Sequence, residues 1–210
     1  ALKHTKQAPE AWKLAIDFLL KTDQPFKARK YLELARQKFP DNVEFVFIQA
    51  SSLRDRGQKS NARTVFEDFA AADPDDPVRN LARARWLIRD GDSHNALRAL
   101  ASVEELTSLT DRDRNTLQLL RAQALIDLNR YDEAKPDVKS LIGRPSTAAA
   151  GYLLSAVVAW GHGDMQLGND LLAKARAVEY QESDALRQLM HVRSPSGETV
   201  GVMVHETYYW

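Results

Sequence analysis

Catalysis and metal binding need nucleophiles, acids, bases or ligands at workable spacing, and this chain of 210 residues offers few of them. Its five histidines, at positions 4, 94, 162, 191 and 205, include no pair spaced to share one helix face around a zinc ion. His94 and His162 fall where hairpin turns are expected, so they read as solvated turn residues. Cysteine is absent, which removes disulfides, thiolate ligands and cysteine nucleophiles. No Gly-rich phosphate loop and no G-x-S-x-G turn is present. The acidic residues, such as Asp73 before Pro74, suit helix caps and exposed faces. The chemistry of the side chains therefore predicts no enzyme, no cofactor and no metal site.

Charge narrows the partners. Lys plus Arg and Asp plus Glu each total 29, and a net charge of zero gives no support for nucleic acid, since phosphate binding needs a cationic excess. The richest basic stretch, Arg79, Arg83, Arg85, Arg89 and Arg98, is interleaved with Asp75, Asp76, Asp90 and Asp92, which reads as a salt-bridged surface. The 44% hydrophobic and 28% charged fractions are those of a folded domain. No apolar run reaches the ~18 residues of a membrane span. A chain without cysteine suits a reducing cytoplasm or a bacterial periplasm, with a lean to the periplasm. The start at Ala1 without Met is read as a mature form or a shortened piece.

The elements that hold these residues repeat along the chain. Ala28, Ala62 and Ala96 stand 34 apart, Ala134 follows after 38 and Gly168 after another 34. Gly57, Gly91, Asn129 and Gly163 move in step with them, as do Leu32, Phe66, Leu100, Val138 and Leu172. Pro40 and Pro74 are also 34 apart. A residue that tolerates left-handed backbone ends one helix, a small residue lets the next approach closely, and a large one fills the space a turn later. Proline then stops the second helix.

These columns resemble the tetratricopeptide repeat (TPR) family. The resemblance covers residues 9 to 181 as five repeats at 9–42, 43–76, 77–110, 115–148 and 149–182, with four inserted residues at 111–114. Trp12, Ala28, Leu32, Ala35 and Pro40 carry it best, together with the Asn129-Arg130-Tyr131-Asp132-Glu133-Ala134 turn. The resemblance implies an all-α fold: a right-handed superhelical solenoid of about five helical hairpins plus a C-terminal capping helix at Ser183–Arg193. Residues 1–193 then form one domain, and 194–210 a linker and strand-like tail. Asn80, Arg83, Gln118 and Arg121 depart from the family's large apolar positions. Phe69, Val103 and Leu141 stand where a small residue is usual. Pro136, early in its helix, predicts a kink.

A TPR groove is lined by the first helix of each repeat. Carried over position by position, the lining is Lys13, Asp17 and Leu20, then Phe47, Ser51 and Arg54. Leu81, Arg85 and Ile88 follow, then Leu119, Gln123 and Ile126, and finally Leu153, Val157 and Trp160. This apolar row with scattered charges suits an extended or helical peptide. The residues 148–160 carry no charge, so that helix is either enclosed, by the capping helix and tail, or covered by a partner. Lys13 matches one position of the carboxylate clamp of chaperone-binding TPR domains. Asp17, Ile48, Val78 and Ala82 do not, so a chaperone-tail receptor is not expected.

The function implied is a non-catalytic scaffold for a protein or peptide partner, of bacterial type. One narrower form is a periplasmic TPR segment of an envelope assembly or polysaccharide-export system, and another is a regulatory domain of a larger enzyme. The tail Thr199–Trp210, rich in β-branched and aromatic residues, is a candidate for self-association.

Overall fold

The computed structural model describes residues 8–178, which form ten helices and, among the described residues, no strand. They are α1 (Pro9–Lys21), α2 (Pro25–Lys38), α3 (Val43–Asp55), α4 (Lys59–Ala71) and α5 (Pro77–Arg89). Then come α6 (Ser93–Glu104), α7 (Asp111–Asp127), α8 (Tyr131–Ile142), α9 (Ala148–Gly161) and α10 (Met165–Ala177). The expected capping helix and the strand-like tail lie outside the described residues.

Local chemistry sets the helix ends. Asn42 accepts from the N–H groups of Glu44 and Phe45 to open α3, and Asp76 accepts from Val78 to open α5. Thr110 and Asp113 form a reciprocal capping box at α7. The four inserted residues 111–114 are the first turn of α7, which is why it runs to 17 residues against 13 in α1, α3 and α5.

Every hairpin turns in the same way. The N–H groups of Gln24, Gln58, Asp92, Arg130 and Asp164 reach back to the carbonyls of Leu19, Leu53, Leu87, Leu125 and Ala159 at 2.8–2.9 Å. The residue before each donor has positive φ: Gly57, Gly91, Asn129 and Gly163, as their column requires, and also Asp23 at 55°. Asp23 is the column's first member, 34 before Gly57, and escapes a search for Gly or Asn.

The small column is buried throughout: Ala28, Ala62, Ala96, Ala134 and Gly168. At Gly168 a Cβ would fall 2.1 Å from Nε1 of Trp160, so the indole takes the space that alanine fills elsewhere. At Gly151 a Cβ would meet the backbone N of Ile142 at 2.7 Å, which lets α9 approach the end of α8.

The chain divides into two compact units, one up to Ala72 and one from Asp73. In the first, Ile16, Ala28, Leu32, Ala35, Phe45 and Ile48 form a core across α1, α2 and α3. The second holds three hairpins, with α5 against α7, α7 against α9, and α6 and α8 seated on the following first helix. Among the described residues the charge-free α9 is enclosed by α7, α8 and α10.

Three of the four polar departures, Asn80, Gln118 and Arg121, are explained by contacts inside the second unit. Arg121, in a position usually held by leucine, donates through Nε and Nη2 to both carboxylate oxygens of Asp137 at 2.7 and 2.6 Å, and through Nη1 to Glu104 at 2.8 Å. These bonds, Asp137's first, raise the guanidinium pKa, and Asp137 is only 3% exposed. Gln118 accepts from Ser140 and Arg144. Asn80 donates to the carbonyls of Pro74 and Asp76. The polar side chains thus bond across or within the hairpins where apolar ones would pack. Helix α8 continues through Pro136, which lies inside Tyr131–Ile142.

Candidate functional site

The first helices carry the positions chosen for the groove, and their exposure divides them. Phe47, Leu81, Ile88, Gln123 and Trp160 are buried, as are Ser51, Leu119 and Leu153. Phe47 meets Phe66 of α4 edge-on, with ring centroids 4.7 Å apart. Lys13, Asp17, Arg54, Arg85, Ile126 and Val157 are half-buried, and Leu20 is 44% exposed. Lys13 pairs with Glu44 of α3 at 3.4 Å.

Around Asp17 and Leu20 the first unit opens into a cleft of about 590 Å³. Ile16 of α1, Ala28 and Leu32 of α2, and Ile48 of α3 are its apolar floor. Leu20, Pro25 and Ser52 form the walls, and Asp17, Lys21, Arg29, Asp55 and Arg56 the rim. Burial raises the pKa of Asp17, with Lys13 and Lys21 drawing it back down and Glu44 adding to the rise. Arg56 donates Nε to the Ser52 carbonyl at 3.0 Å. An apolar floor inside a charged rim can seat a large hydrophobic side chain and orient what flanks it.

The corresponding corner recurs twice in the second unit and is closed both times. The residue three before the small column is Pro25 at the first hairpin, Ser93 at the third and Tyr131 at the fourth. Its neighbour, two before the left-handed residue of the next turn, is Asp55, Asp127 and Gly161 respectively. Ser93 Oγ donates to Asp127 Oδ2 at 3.0 Å. The Tyr131 ring lies over Gly161, where a Cβ would fall 2.4 Å from Cζ. That ring also meets His162 at 5.8 Å, and His162 Nε2 lies 3.4 Å from Asp132. In the first unit Pro25 has no donor to offer, and Asp55 is exposed with no hydrogen bond among the described residues. Ile88, which holds Leu20's place in repeat three, is 8% exposed against 44% for Leu20.

Sequence reasoning found Asp17 and Leu20 but missed Pro25, Arg29, Asp55 and Arg56. The signal was available: reading the position three before the small column across repeats sets Pro25 against Ser93 and Tyr131. It was hidden because the groove was sought on first helices alone, whereas this cleft is shared with a second helix. Among the described residues no group of three His, Asp or Glu is placed to hold a metal ion, and no helix is long and apolar enough to cross a membrane.

Comparison with known proteins agrees with the hairpin geometry. No curated protein matches the chain. Among solved structures, MamA 41-end from Desulfovibrio magneticus RS-1 is similar with a TM-score of 0.55 at 14% identity, over 84% of this chain and 97% of that one. The MamA RS-1 ArsTM double mutant is similar with a TM-score of 0.54 at 15% identity, over the same shares. At such identity the likeness concerns the fold alone. A tetratricopeptide repeat model matches residues 19–77 and 119–183, more than half of the sequence. With five identical hairpin turns and an unbroken small-residue column, the chain belongs to the tetratricopeptide repeat family.

Proposed function

We propose that this protein is a non-catalytic scaffold that holds a partner protein or peptide on the exposed sides of its first helices. TPR proteins are in general protein-interaction scaffolds, and the finer assignment is to Lys13, Asp17 and Arg54 in the first unit and, taken by itself, to Arg85, Ile126 and Val157 in the second. The observation that carries it is the cleft beside Asp17 and Leu20, an apolar recess bordered by charges on a protein surface. Its mixed lining favours a peptide with hydrophobic anchors over nucleic acid, whose phosphates need a cationic field. The charges of the second unit support a structural use: Arg121 and Asp137 satisfy one another instead of presenting a reactive group.

Site-specific photo-crosslinking in the native host tests the proposal. Crosslinkers at Asp17, Arg54 and Arg85 are expected to capture one partner, while those at Lys135 and Lys174 on second helices capture little of it. The reverse pattern would move the binding surface off the first helices. Turnover by the purified chain of any substrate found in the same complex would end the non-catalytic reading.

A further inference from the structure

We infer that the open corner of the first unit docks a short acidic segment of a partner protein, which inserts one large apolar side chain between α1, α2 and α3. This rests on the scaffold reading and names what that site takes. The repeat supplies the argument. Wherever this corner is visible in the second unit, a side chain from the second helix closes it: the Ser93 hydroxyl bonds Asp127, and the Tyr131 ring covers Gly161. In the first unit the equivalent residue is Pro25, whose ring can neither donate nor reach across. The floor of Ile16, Leu32 and Ile48 is left under a recess of about 590 Å³. A segment from outside completes the corner by supplying the missing apolar group.

Charge decides the class of segment. Asp17 already lies in the field of Lys13 and Lys21, and Lys13 is paired with Glu44. Of the remaining rim groups, Arg29 is exposed and has no hydrogen bond or ion pair among the described residues. Arg56 spends only Nε, on the Ser52 carbonyl. Against these two cations stands Asp55 alone, so the unmatched charge at the mouth is positive. A carboxylate beside the apolar anchor meets Arg29 and Arg56, and Asp55 is left to accept a backbone N–H of the segment, as Asp127 accepts from Ser93.

The test uses the full chain and three short fluorescein-labelled peptides: phenylalanine flanked by glutamates, the same with lysines for glutamates, and the same with alanine for phenylalanine. Binding is read by anisotropy and located by backbone amide shifts. The acidic phenylalanine peptide should bind most tightly and shift Leu20, Ala28, Arg29 and Ser52. Arg29→Glu and Leu20→Asp should each weaken it on the order of tenfold, the scale of an interface anchor. Pro25→Ser, which restores the donor of the closed corners, should weaken it as well while leaving the fold intact by circular dichroism. Equal or tighter binding of the lysine peptide would overturn the acidic class. Shifts confined to other first helices would overturn the cleft yet leave the scaffold reading standing. If the native partner crosslinks only from Lys135 and Lys174, the binding surface leaves the first helices, and the reading on which this inference rests fails with it.

Discussion

The first unit and the second are built from the same hairpin, yet one leaves its inter-repeat corner open and the other closes it twice. The backbone turns are the same: each carries a left-handed residue and a 2.8–2.9 Å bond back across it. The difference lies in one side chain per repeat. Ser93 gives Asp127 a donor, Tyr131 gives Gly161 a ring, and Pro25 gives Asp55 nothing. A repeat protein therefore separates two tasks. The turn and the small column fix the hairpin, while residues at hairpin edges decide whether neighbouring repeats seal or stay available. The second unit also carries the Arg121–Asp137 pair, its carboxylate buried and its guanidinium partly exposed, and two apolar clusters that both include residues of α7 and both pack against Leu97.

If closure is what distinguishes the units, breaking this pair should cost most. Asp137→Ala should destabilise the second unit by about 2 kcal/mol, because the partly buried Arg121 loses its bidentate partner and keeps only the bond to Glu104 and solvent. Hydrogen exchange resolved by residue should show the loss in α7 and α8. An unchanged exchange pattern would mean the pair is solvated.

Gly161→Ala sharpens the comparison next. An exposed helical glycine replaced by alanine should gain about 1 kcal/mol. Here the new Cβ would meet the Tyr131 ring, so a loss of about 1–2 kcal/mol is expected instead. A gain in denaturant midpoint would show that the ring moves aside freely.

Ser93→Ala should cost about 1 kcal/mol at neutral pH, by removing the donor from a carboxylate that needs one. Burial raises the folded pKa of Asp127 and the Ser93 bond lowers it, although part of the residue meets solvent. A raised carboxyl pKa penalises folding above that pKa, and the penalty fades as pH falls through it toward the unfolded value. Without Ser93 the penalty grows, so the variant should approach wild-type stability in acid. A pH-independent difference, followed by urea denaturation, would exclude the Ser93–Asp127 bond as its source.

Pro25→Ser should have the smallest effect, a change of at most about 1 kcal/mol in the first unit, the worth of one exposed hydrogen bond to Asp55. Its value is in the sign: stabilisation means the corner can be closed from within. A loss larger than that, in the same denaturation experiment, would mean that Pro25 is needed to start α2.

The columns made the hairpins legible because each records a local demand. Positive φ selects glycine or asparagine, and a close crossing selects alanine or glycine. Asp23 escaped because aspartate tolerates the same backbone conformation without announcing it. The departures at Gln118 and Arg121 were visible as anomalies, but their resolution was not, since the partners Ser140, Arg144 and Asp137 stand 16 to 26 residues away. For the candidate site, residue type gave no guide to exposure. Phe47 and Trp160 look like anchors in sequence yet are buried in packing, whereas Arg29 and Asp55 look like ordinary surface charges yet border the cleft.

What the sequence determined by itself was the hairpin, its period and its turns, because these depend on backbone conformation and volume within about one repeat. What only the tertiary structure decided was which corners are sealed. That depends on whether a side chain of one repeat finds a donor, an acceptor or a space on the next, and no local preference of Pro25, Ser93 or Tyr131 states what it will meet there.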